Sequence, residues 1–263
     1  MRILVTGATG MVGSHACAAL ARAGHELRVL ARDPQKARRV LAVLDPKLAD
    51  VEVVRGDVVD RAGMRAALAG CDGIVHSAGL LTFDRDAHDR MRETNVGGTQ
   101  IALEEAHALC LDPRFTLSSL SALWEPGVGV LTEDAPVASP ADPYSRSKAD
   151  AERVARAMQE RGAPVVSFYP SAVWGPDNPT VGNQITTIFA MVQWGYYLSV
   201  EGGMPIVDVR DLANAIVRAI EPGRGARRYM MAGHFLTHDE MRELVSDLRA
   251  AVHRAAQRLV GEE

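Results

Sequence analysis

Two residues able to exchange protons, Tyr144 and Lys148, lie four positions apart at the start of a helix predicted over residues 142–161. This spacing places both side chains on one face of the helix. A tyrosine is a weak acid with a reference pKa of about 10, but a neighbouring ammonium group favours its phenolate form. The pair therefore predicts general acid–base chemistry, with Lys148 lowering the pKa of Tyr144. Packing combined with a surface charge is the alternative explanation of the spacing.

Serine hydroxyls that could assist this pair follow a strand predicted over residues 115–118. A hydroxyl group at that strand end can hydrogen-bond a carbonyl or carbinol oxygen beside Tyr144. We assign this role to Ser119 and keep Ser121 as the alternative. No Gly-x-Ser-x-Gly sequence surrounds these serines, which disfavours a nucleophilic hydrolase.

The N-terminal segment combines a short apolar strand, a turn with Gly7, Gly10 and Gly13, and the start of a helix predicted over residues 11–23. Glycines let the backbone approach a pyrophosphate closely, and a helix N-terminus offers unpaired N–H groups to it. Glycine turns also close ordinary αβ loops. Their position directly after the first strand favours a nucleotide-binding site.

The residues after the second predicted strand bear on the choice of cofactor. In dinucleotide-binding folds, an acidic residue about 20 positions after the glycines binds the ribose 2′-hydroxyl. Arg32 reaches this place first, and its guanidinium group suits a 2′-phosphate, which favours NADP(H) over NAD(H). Asp33 could instead bind the ribose, and the basic residues of the next helix could be a solvated face. Asp57 is placed either to accept from the adenine amine or to cap a helix.

The composition is that of a soluble globular protein, with 263 residues, 47 % of them hydrophobic, and a net charge of −4. This charge indicates neither nucleic acid nor an anionic membrane as a partner. No apolar run reaches the roughly 20 residues of a membrane span, and the first strand leaves no room for a signal peptide. Cys17, Cys71 and Cys110 show no disulfide or metal-ligand spacing, so we expect reduced thiols, no metal and a cytoplasmic location.

Apolar strands alternate with helices along most of the chain. This alternation predicts an α/β fold with a Rossmann-type doubly wound parallel sheet. Strands are predicted over residues 3–5, 26–31, 51–54, 73–76, 115–118 and 165–169. The intervening helices are predicted over residues 11–23, 34–44, 61–69, 86–109 and 142–161.

Beyond residue 175 we expect a different role for the chain. Residues 1–175 would form the NAD(P)-binding domain, and residues 176–263 a small C-terminal substrate-binding lid interleaved with the sheet. Within the second region, residues of about 205–228 would return to the core, beginning with a strand over residues 205–208 that rejoins the sheet. A helix, a strand and a closing helix are predicted over residues 209–220, 228–231 and 237–259.

Taken together, the motifs resemble the extended short-chain dehydrogenase/reductase superfamily over residues 1–245. The matching motifs are Thr6-Gly7-x-x-Gly10-x-x-Gly13, Asp57, His76-Ser77-Ala78-Gly79, Asn95-x-x-x-Thr99, Ser118-Ser119, Tyr144-x-x-x-Lys148, Tyr169-Pro170-x-x-Val173-x-Gly175-Pro176 and Val207-x-x-x-Asp211. The resemblance implies a Rossmann fold, a nicotinamide cofactor, a Ser-Tyr-Lys site and a homodimer formed through the helices over residues 86–109 and 142–161. Residues 29–34 are more similar to the dihydroflavonol and cinnamoyl-CoA reductases, which reduce ketones or aldehydes with NADPH, than to the sugar epimerases.

The resemblance also assigns roles to individual residues. The catalytic residues would be Ser119, Tyr144 and Lys148, with Lys148 also bonding the nicotinamide ribose. Asn95 would brace the central helix, with a purely structural role as the alternative. The predicted cofactor-binding residues are Gly7, Thr9, Gly10, Met11, Val12, Arg32, Asp57, Val58, Ser77, Ala78, Gly79, Asn95, Pro170 and Val173.

The substrate class is indicated by charge and aromatic content. Residues 162–209 contain no lysine or arginine, whereas an enzyme acting on a nucleotide sugar needs cations for the diphosphate. Aromatic and aliphatic side chains are expected to form an apolar pocket there, or else a lid core or a subunit contact. They are Phe189, Trp194, Tyr196 and Tyr197, with Leu80, Leu81 and Phe83 facing them.

These features predict reduction of a hydrophobic ketone or aldehyde. The alternatives are an NAD-dependent nucleotide-sugar epimerase or dehydratase and a non-catalytic NADP(H)-sensing protein. Trp124 and Trp174 stand where the sugar enzymes commonly carry a tyrosine. The sequence ends at Glu263, whereas members of the superfamily usually continue further, which bears on how the substrate pocket is closed.

Overall fold

The computed structural model describes residues 1–179, 193 and 201–260, with side chains up to residue 254. The strands in this part of the chain are β1 (Arg2–Thr6), β2 (Glu26–Ala31), β3 (Glu52–Arg55), β4 (Gly73–His76), β5 (Arg114–Leu117), β6 (Val165–Pro170), β7 (Ala172–Trp174), β8 (Gly203–Asp208), β9 (Arg227–Met231) and β10 (His234–Thr237). The α-helices are α1 (Met11–Arg22), α2 (Pro34–Leu44), α3 (Arg61–Leu68), α4 (His88–Arg92), α5 (Gly98–Ala108), α6 (Pro143–Glu160), α7 (Val209–Ala219) and α8 (His238–Val260).

The main sheet has seven parallel strands in the order β3-β2-β1-β4-β5-β6-β9. The chain starts in the middle of the sheet, winds outward through β3, and then crosses to build the other half from β4. This is the strand order of a doubly wound dinucleotide-binding fold, with its crevice between the carboxyl ends of β1 and β4. The predicted fold class is therefore confirmed.

Helices cover both faces of this sheet because successive side chains of a buried strand point to opposite sides. Ile3 and Val5 of β1 belong to the core on the side of α1, α2 and α7, together with Leu20, Leu41, Leu212 and Ile216. Leu4 belongs to the core on the opposite side, against α3 and α5, together with Met64, Leu68, Ala102 and Ala106. The sheet is thus held rigidly between two apolar layers, which fixes the strand ends that carry the site.

The strand predicted over residues 205–208 exists, but the expectation that it rejoins the main sheet is wrong. Strand β8 pairs in parallel with β7 and antiparallel with β10, which gives a separate three-stranded sheet. The place beside β6 in the main sheet is taken by β9, with Val166 opposite Arg227. Neither β7 nor β10 was predicted from the sequence.

The segment predicted as one helix over residues 86–109 is a series of helical turns. A 3-10 turn (Arg85–Ala87) leads into α4, and a π-helical turn (Glu93–Gly97) joins α4 to α5. Such π turns are frequent at functional sites because they reorient one side chain of a helix. The buried residue in this turn is Asn95.

Three further expectations concern the C-terminal region, membrane-spanning segments and the predicted lid. Helix α7 packs Leu212 and Ile216 into the core beside β1, whereas the division into two domains at residue 175 stays a prediction. No helix within the described residues is long and apolar enough to cross a membrane. The predicted lid aromatics Phe189, Trp194, Tyr196 and Tyr197 lie outside the described residues.

Candidate active site

The glycine turn after β1 is closed tightly against the end of β4. The Gly10 N–H group donates to the carbonyl oxygen of Gly7 at 2.9 Å, and Gly7 has a φ of +74°. A Cβ atom on Gly7 would lie 2.6 Å from the backbone nitrogen of Ala78, and one on Gly13 would lie 2.3 Å from the Gly7 oxygen. Only glycine fits these positions, so the turn brings bare backbone to the crevice.

Helix α1 begins at this turn without a side-chain cap. Its N-cap residue, Gly10, offers no side-chain acceptor, and its first turn carries no acidic residue. The first N–H groups of α1 are therefore open to an external anion, which the positive end of the helix dipole also favours. This backbone fits the pyrophosphate of a dinucleotide.

Hydrogen bonds fasten the end of β4 to β1. The Ser77 hydroxyl donates to the Thr6 carbonyl oxygen at 2.7 Å, and the Ala78 N–H group donates to the Thr6 hydroxyl oxygen at 3.3 Å. The Thr6 hydroxyl also lies 2.9 Å from Nδ1 of His76. Residues 77–79 are consequently held beside the glycine turn.

The amide group of Asn95 joins the loop after β4 to helix α6. Its nitrogen donates to the Leu80 carbonyl oxygen at 2.9 Å and to the Ser147 hydroxyl at 2.8 Å. Its oxygen accepts from the Leu80 N–H group at 2.7 Å. Asn95 thus braces the loop, while its assignment as a cofactor-binding residue stays a prediction.

A cavity of about 670 Å³ opens at the carboxyl ends of β1, β4, β5 and β6. It brings together most of the predicted site. The predicted residues among its lining are Gly7, Gly10, Met11, Val12, Ser77, Gly79, Asn95, Ser119, Tyr144, Lys148, Pro170 and Val173. The lining does not include Thr9, Arg32, Asp57, Val58 or Ala78.

The residues predicted to choose the cofactor lie beyond this cavity. Arg32 is exposed directly after β2, and the Asp33 carboxylate caps α2 by accepting from the Lys36 N–H group at 3.0 Å. This bond lowers the pKa of Asp33. The Asp33 carboxylate thus caps α2, while a contact of Arg32 with a cofactor stays a prediction.

The structure also places the residues after β3. Asp57 accepts from the Val59 N–H group at 3.4 Å. The N-cap of α3 is Asp60, so the alternative prediction that Asp57 caps this helix is wrong. The Val58 side chain is buried in the core against Gly98. Any contact of Val58 with a cofactor would therefore come from its backbone.

The serine segment after β5 forms a short hydrogen-bonded turn. Ser119 Oγ accepts from the Ser121 N–H group at 3.2 Å, and the two hydroxyl groups lie 2.9 Å apart. Both serines line the cavity, whereas Ser118 Oγ is buried without a hydrogen-bond partner among the described residues. Ser119 is the serine that affects the Tyr144 phenol.

The pKa of Tyr144 departs from the sequence-based expectation. Burial raises the pKa of the phenol, and the nearby Ser119 hydroxyl offsets this only in part. The expected lowering by Lys148 is therefore wrong, because desolvation of the phenolate is the larger effect. Tyr144 remains a protonated phenol at neutral pH and can act as a proton donor.

Lys148 is directed to the end of β5 by a backbone acceptor. Its ammonium group donates to the Leu117 carbonyl oxygen at 2.7 Å. Burial lowers the pKa of Lys148 to about 8, and the negative charge of Glu152 acts in the other direction and raises it. The pKa of the buried His76 falls to about 3, through its burial and the nearby charge of Lys148.

The cavity lining includes residues that the sequence analysis did not assign. They include Met204 and Pro205 of β8, which reach the cavity from the small sheet. Leu80 and Leu81, which were expected to face an apolar pocket, reach it from the loop after β4. Phe83, which was expected to face the pocket together with Leu80 and Leu81, is 75 % exposed and is not in the lining. The predicted strand over residues 205–208 was the signal for this wall, but its pairing with β7 could not be read from the sequence.

Residues 3–233 match the NAD dependent epimerase/dehydratase family. The chain belongs to this family. It is accordingly an enzyme of the NAD(P)-dependent epimerase, dehydratase and reductase superfamily, as the sequence motifs indicated.

Members with different activities resemble the chain to a similar degree. The 2-alkyl-3-oxoalkanoate reductase of Stenotrophomonas maltophilia is 28 % identical, over 96 % of this chain and 76 % of the reductase. A UDP-glucose 4-epimerase of Neisseria meningitidis is 27 % identical, over 69 % of this chain and 56 % of the epimerase. The chain thus spans little more than half the length of that epimerase.

Among solved structures, a dTDP-glucose 4,6-dehydratase from Streptomyces venezuelae with NAD bound superposes with a TM-score of 0.80. It is 28 % identical in sequence, and the match covers 94 % of this chain and 80 % of the dehydratase. This similarity supports the same fold for this chain.

Proposed function

We propose that the protein is an NADP(H)-dependent oxidoreductase that reduces a hydrophobic ketone or aldehyde to an alcohol. The observation that carries the proposal is the meeting of Ser119, Tyr144 and Lys148 in one cavity with the glycine turn. The bare backbone and the uncapped start of α1 fit a dinucleotide pyrophosphate. When bound, the nicotinamide supplies the hydride.

The side chains provide the proton and the positioning. The Tyr144 phenol, protonated at neutral pH, donates its proton to the substrate oxygen. The Ser119 hydroxyl hydrogen-bonds the same oxygen and is itself held by Ser121. The Lys148 ammonium binds the nicotinamide ribose and stabilises the phenolate that forms, while one of its N–H groups remains on Leu117.

The preference for NADP(H) rests on the residues after β2. Arg32 is exposed directly after β2, and one carboxylate oxygen of Asp33 accepts from the Lys36 N–H group at the start of α2. A guanidinium group can bond a phosphate through two N–H groups, whereas it offers no acceptor for a ribose hydroxyl.

The preference for an apolar carbonyl substrate rests on the cavity wall. Leu80, Leu81, Met204 and Pro205 contribute apolar groups to it. Residues 162–209 supply no cation for a diphosphate. The related reductase of Stenotrophomonas maltophilia is named for an alkylated oxo acid, a substrate of this chemical class.

The second candidate is an NAD-dependent nucleotide-sugar epimerase or dehydratase. It is favoured by the resemblance to a UDP-glucose 4-epimerase and to an NAD-bound dTDP-glucose dehydratase. A non-catalytic NADP(H) sensor is disfavoured, since a sensor would not need the assembled Ser119, Tyr144 and Lys148. A cytoplasmic homodimer also stays a prediction, which sedimentation of the purified protein would test.

The cofactor proposal is tested by titrating the protein with NADPH and NADH and following nicotinamide fluorescence. We expect tighter binding of NADPH, and loss of this preference in Arg32→Asp. Arg90→Asp is the matched control, because Arg90 is also exposed but lies on α4. Equal NADPH affinity in the parent and Arg32→Asp would overturn the NADP(H) assignment, and NAD retained through purification would favour the second candidate.

The substrate proposal is tested by turnover. Apolar ketones and aldehydes are compared with UDP- and dTDP-sugars at the same concentration, with NADPH oxidation and sugar conversion as the two readouts. Conversion of a nucleotide sugar without net NADPH consumption would replace the reductase assignment by the epimerase or dehydratase one.

A further inference from the structure

Four polar side chains follow one another at four-residue spacing along α6. Tyr144 and Lys148 line the cavity, and Glu152 and Arg156 continue the same face of the helix into the protein. The side chain of Glu152 is 0 % exposed. A fully buried carboxylate one turn beyond the site lysine is energetically costly unless it has partners.

The contacts of Glu152 satisfy only one of its two carboxylate oxygens. Oε1 accepts from the Tyr169 hydroxyl at 2.7 Å and from Nε of Arg156 at 3.3 Å. Oε2 is buried and has no hydrogen-bond partner among the described residues. Arg156 is shared with the carbonyl oxygens of Ala135 and Glu133, at 2.8 and 3.2 Å, so it does not serve Glu152 alone.

The groups around Lys148 differ in charge. His76, from β4, is held neutral by burial, and Tyr144 is a protonated phenol on the same helix as Lys148. Tyr169, from β6, bonds Glu152 and is also a protonated phenol, because its burial and the Glu152 charge raise its pKa. The negative charge acting on the Lys148 ammonium comes from Glu152.

We propose that Glu152 is a positioning residue of this site, whose buried carboxylate keeps the Lys148 ammonium charged at neutral pH. Glu152 touches neither substrate nor cofactor in this role and acts through Lys148. The inference rests on the proposed function, because a charged Lys148 matters for binding the ribose and for stabilising the Tyr144 phenolate. Without the carboxylate, burial would drive Lys148 toward its neutral form.

The sequence offers a direct measurement, because the chain contains three lysines, Lys36, Lys47 and Lys148. Lysine labelled with ¹³C at Cε gives one NMR signal for each, and the pH at which each shifts reports its protonation. Lys36 and Lys47 are exposed and serve as internal references. Loss of one signal in Lys148→Arg assigns the third.

The decisive variant is Glu152→Gln, which removes the charge and keeps an amide oxygen that can accept from Tyr169. We expect Lys148 to titrate about one pH unit lower or more in this variant, with both reference lysines unchanged. Glu105→Gln is the matched control. Glu105 is also a buried carboxylate, but it lies on α5 and binds Arg61 and Arg65 of α3. This variant should lower the melting temperature without moving the Lys148 signal.

An unchanged Lys148 titration in folded Glu152→Gln would overturn the proposal and leave Glu152 a purely structural residue. If Glu152→Gln does not fold, the Lys148 titration in the parent protein tests the proposal. A Lys148 that loses its proton below about pH 7 in the parent would also overturn the proposal. These titrations need neither cofactor nor substrate. A shifted Lys148 in a protein that reduces no carbonyl would therefore refute the proposed reaction and not the coupling.

The consequence for binding is measured separately. With Glu152→Gln, NADPH affinity should decline at a lower pH than in the parent, in parallel with the Lys148 titration. A uniform loss of affinity at every pH would instead indicate a distorted site and would count against the charge role.

Discussion

The ammonium group of Lys148 lies 2.7 Å from the carbonyl oxygen of Leu117, the last residue of β5. This bond fixes the first turns of α6 against the strand that leads into the serine segment. Tyr144 and Ser119, which are 25 positions apart in the sequence, are thereby kept in one cavity. An ammonium group has three N–H donors, so the bond to Leu117 leaves two for a ribose and a phenolate.

The two serines should differ in their effect on turnover. Ser119→Ala removes the hydroxyl that lies next to the Tyr144 phenol, and we expect kcat to fall about 10²-fold. Ser121→Ala removes only the hydrogen bond that holds Ser119, so its loss should be about tenfold or less. Steady-state kinetics of both variants with one substrate compare them, and a larger loss in Ser121→Ala would transfer the catalytic role to Ser121.

Tyr144→Phe should separate chemistry from binding. The variant loses the proton donor and keeps the ring, so we expect kcat to fall about 10²- to 10⁴-fold with little change in NADPH affinity. Stopped-flow measurement of hydride transfer, beside a fluorescence titration of NADPH, provides both values. Reduction at the rate of the parent would exclude Tyr144 as the acid.

The glycine turn should tolerate no side chain at Gly13. A methyl group there would lie 2.3 Å from the Gly7 carbonyl oxygen, so Gly13→Ala should lower stability by about 1–3 kcal/mol and NADPH affinity at least about tenfold. Gly97→Ala is the control, because a Cβ at helical Gly97 would meet nothing within 4 Å. It should leave affinity unchanged and raise stability by about 0.5–1 kcal/mol. Chemical denaturation and NADPH titration of both variants provide the comparison, and equal effects of the two substitutions would contradict this account of the turn.

His76 should contribute to acid sensitivity. Burial lowers its pKa from 6.5 to about 3, so the folded protein binds fewer protons there than the unfolded chain. The contribution of His76 to the free energy of unfolding is therefore complete above the pKa that His76 has in the unfolded chain. It is lost as the pH falls from that pKa toward the lower pKa of the folded protein.

The variant that tests this linkage is His76→Asn, whose side chain can still bond the Thr6 hydroxyl. Between about pH 7 and about pH 5, the unfolding free energy of the parent should fall by about 2 kcal/mol more than that of the variant. Urea denaturation at both pH values measures the difference. Identical pH dependence in the two proteins would show that His76 does not titrate on unfolding.

The local elements of the site could be predicted from the sequence. The apolar strand, the glycine turn and the start of α1 are consecutive in the chain, and Tyr144 and Lys148 are separated by one helical turn. Such patterns depend on residues close in the sequence, whose relation is set by helix and strand periodicity. For the same reason, the order of strands and helices was sufficient to predict the parallel sheet.

Contacts between distant residues could not be predicted in this way. Strand β8 pairs with β7 in the small sheet while β9 takes the edge of the main sheet, and the pKa of Tyr144 depends on how deeply the phenol is buried. The bond between Glu152 and Tyr169 likewise joins a helix to a strand. The sequence by itself determined which chemical groups this protein carries and the elements that hold them. Tertiary structure alone decided their burial and their neighbours, because desolvation and charge act through space and not along the chain.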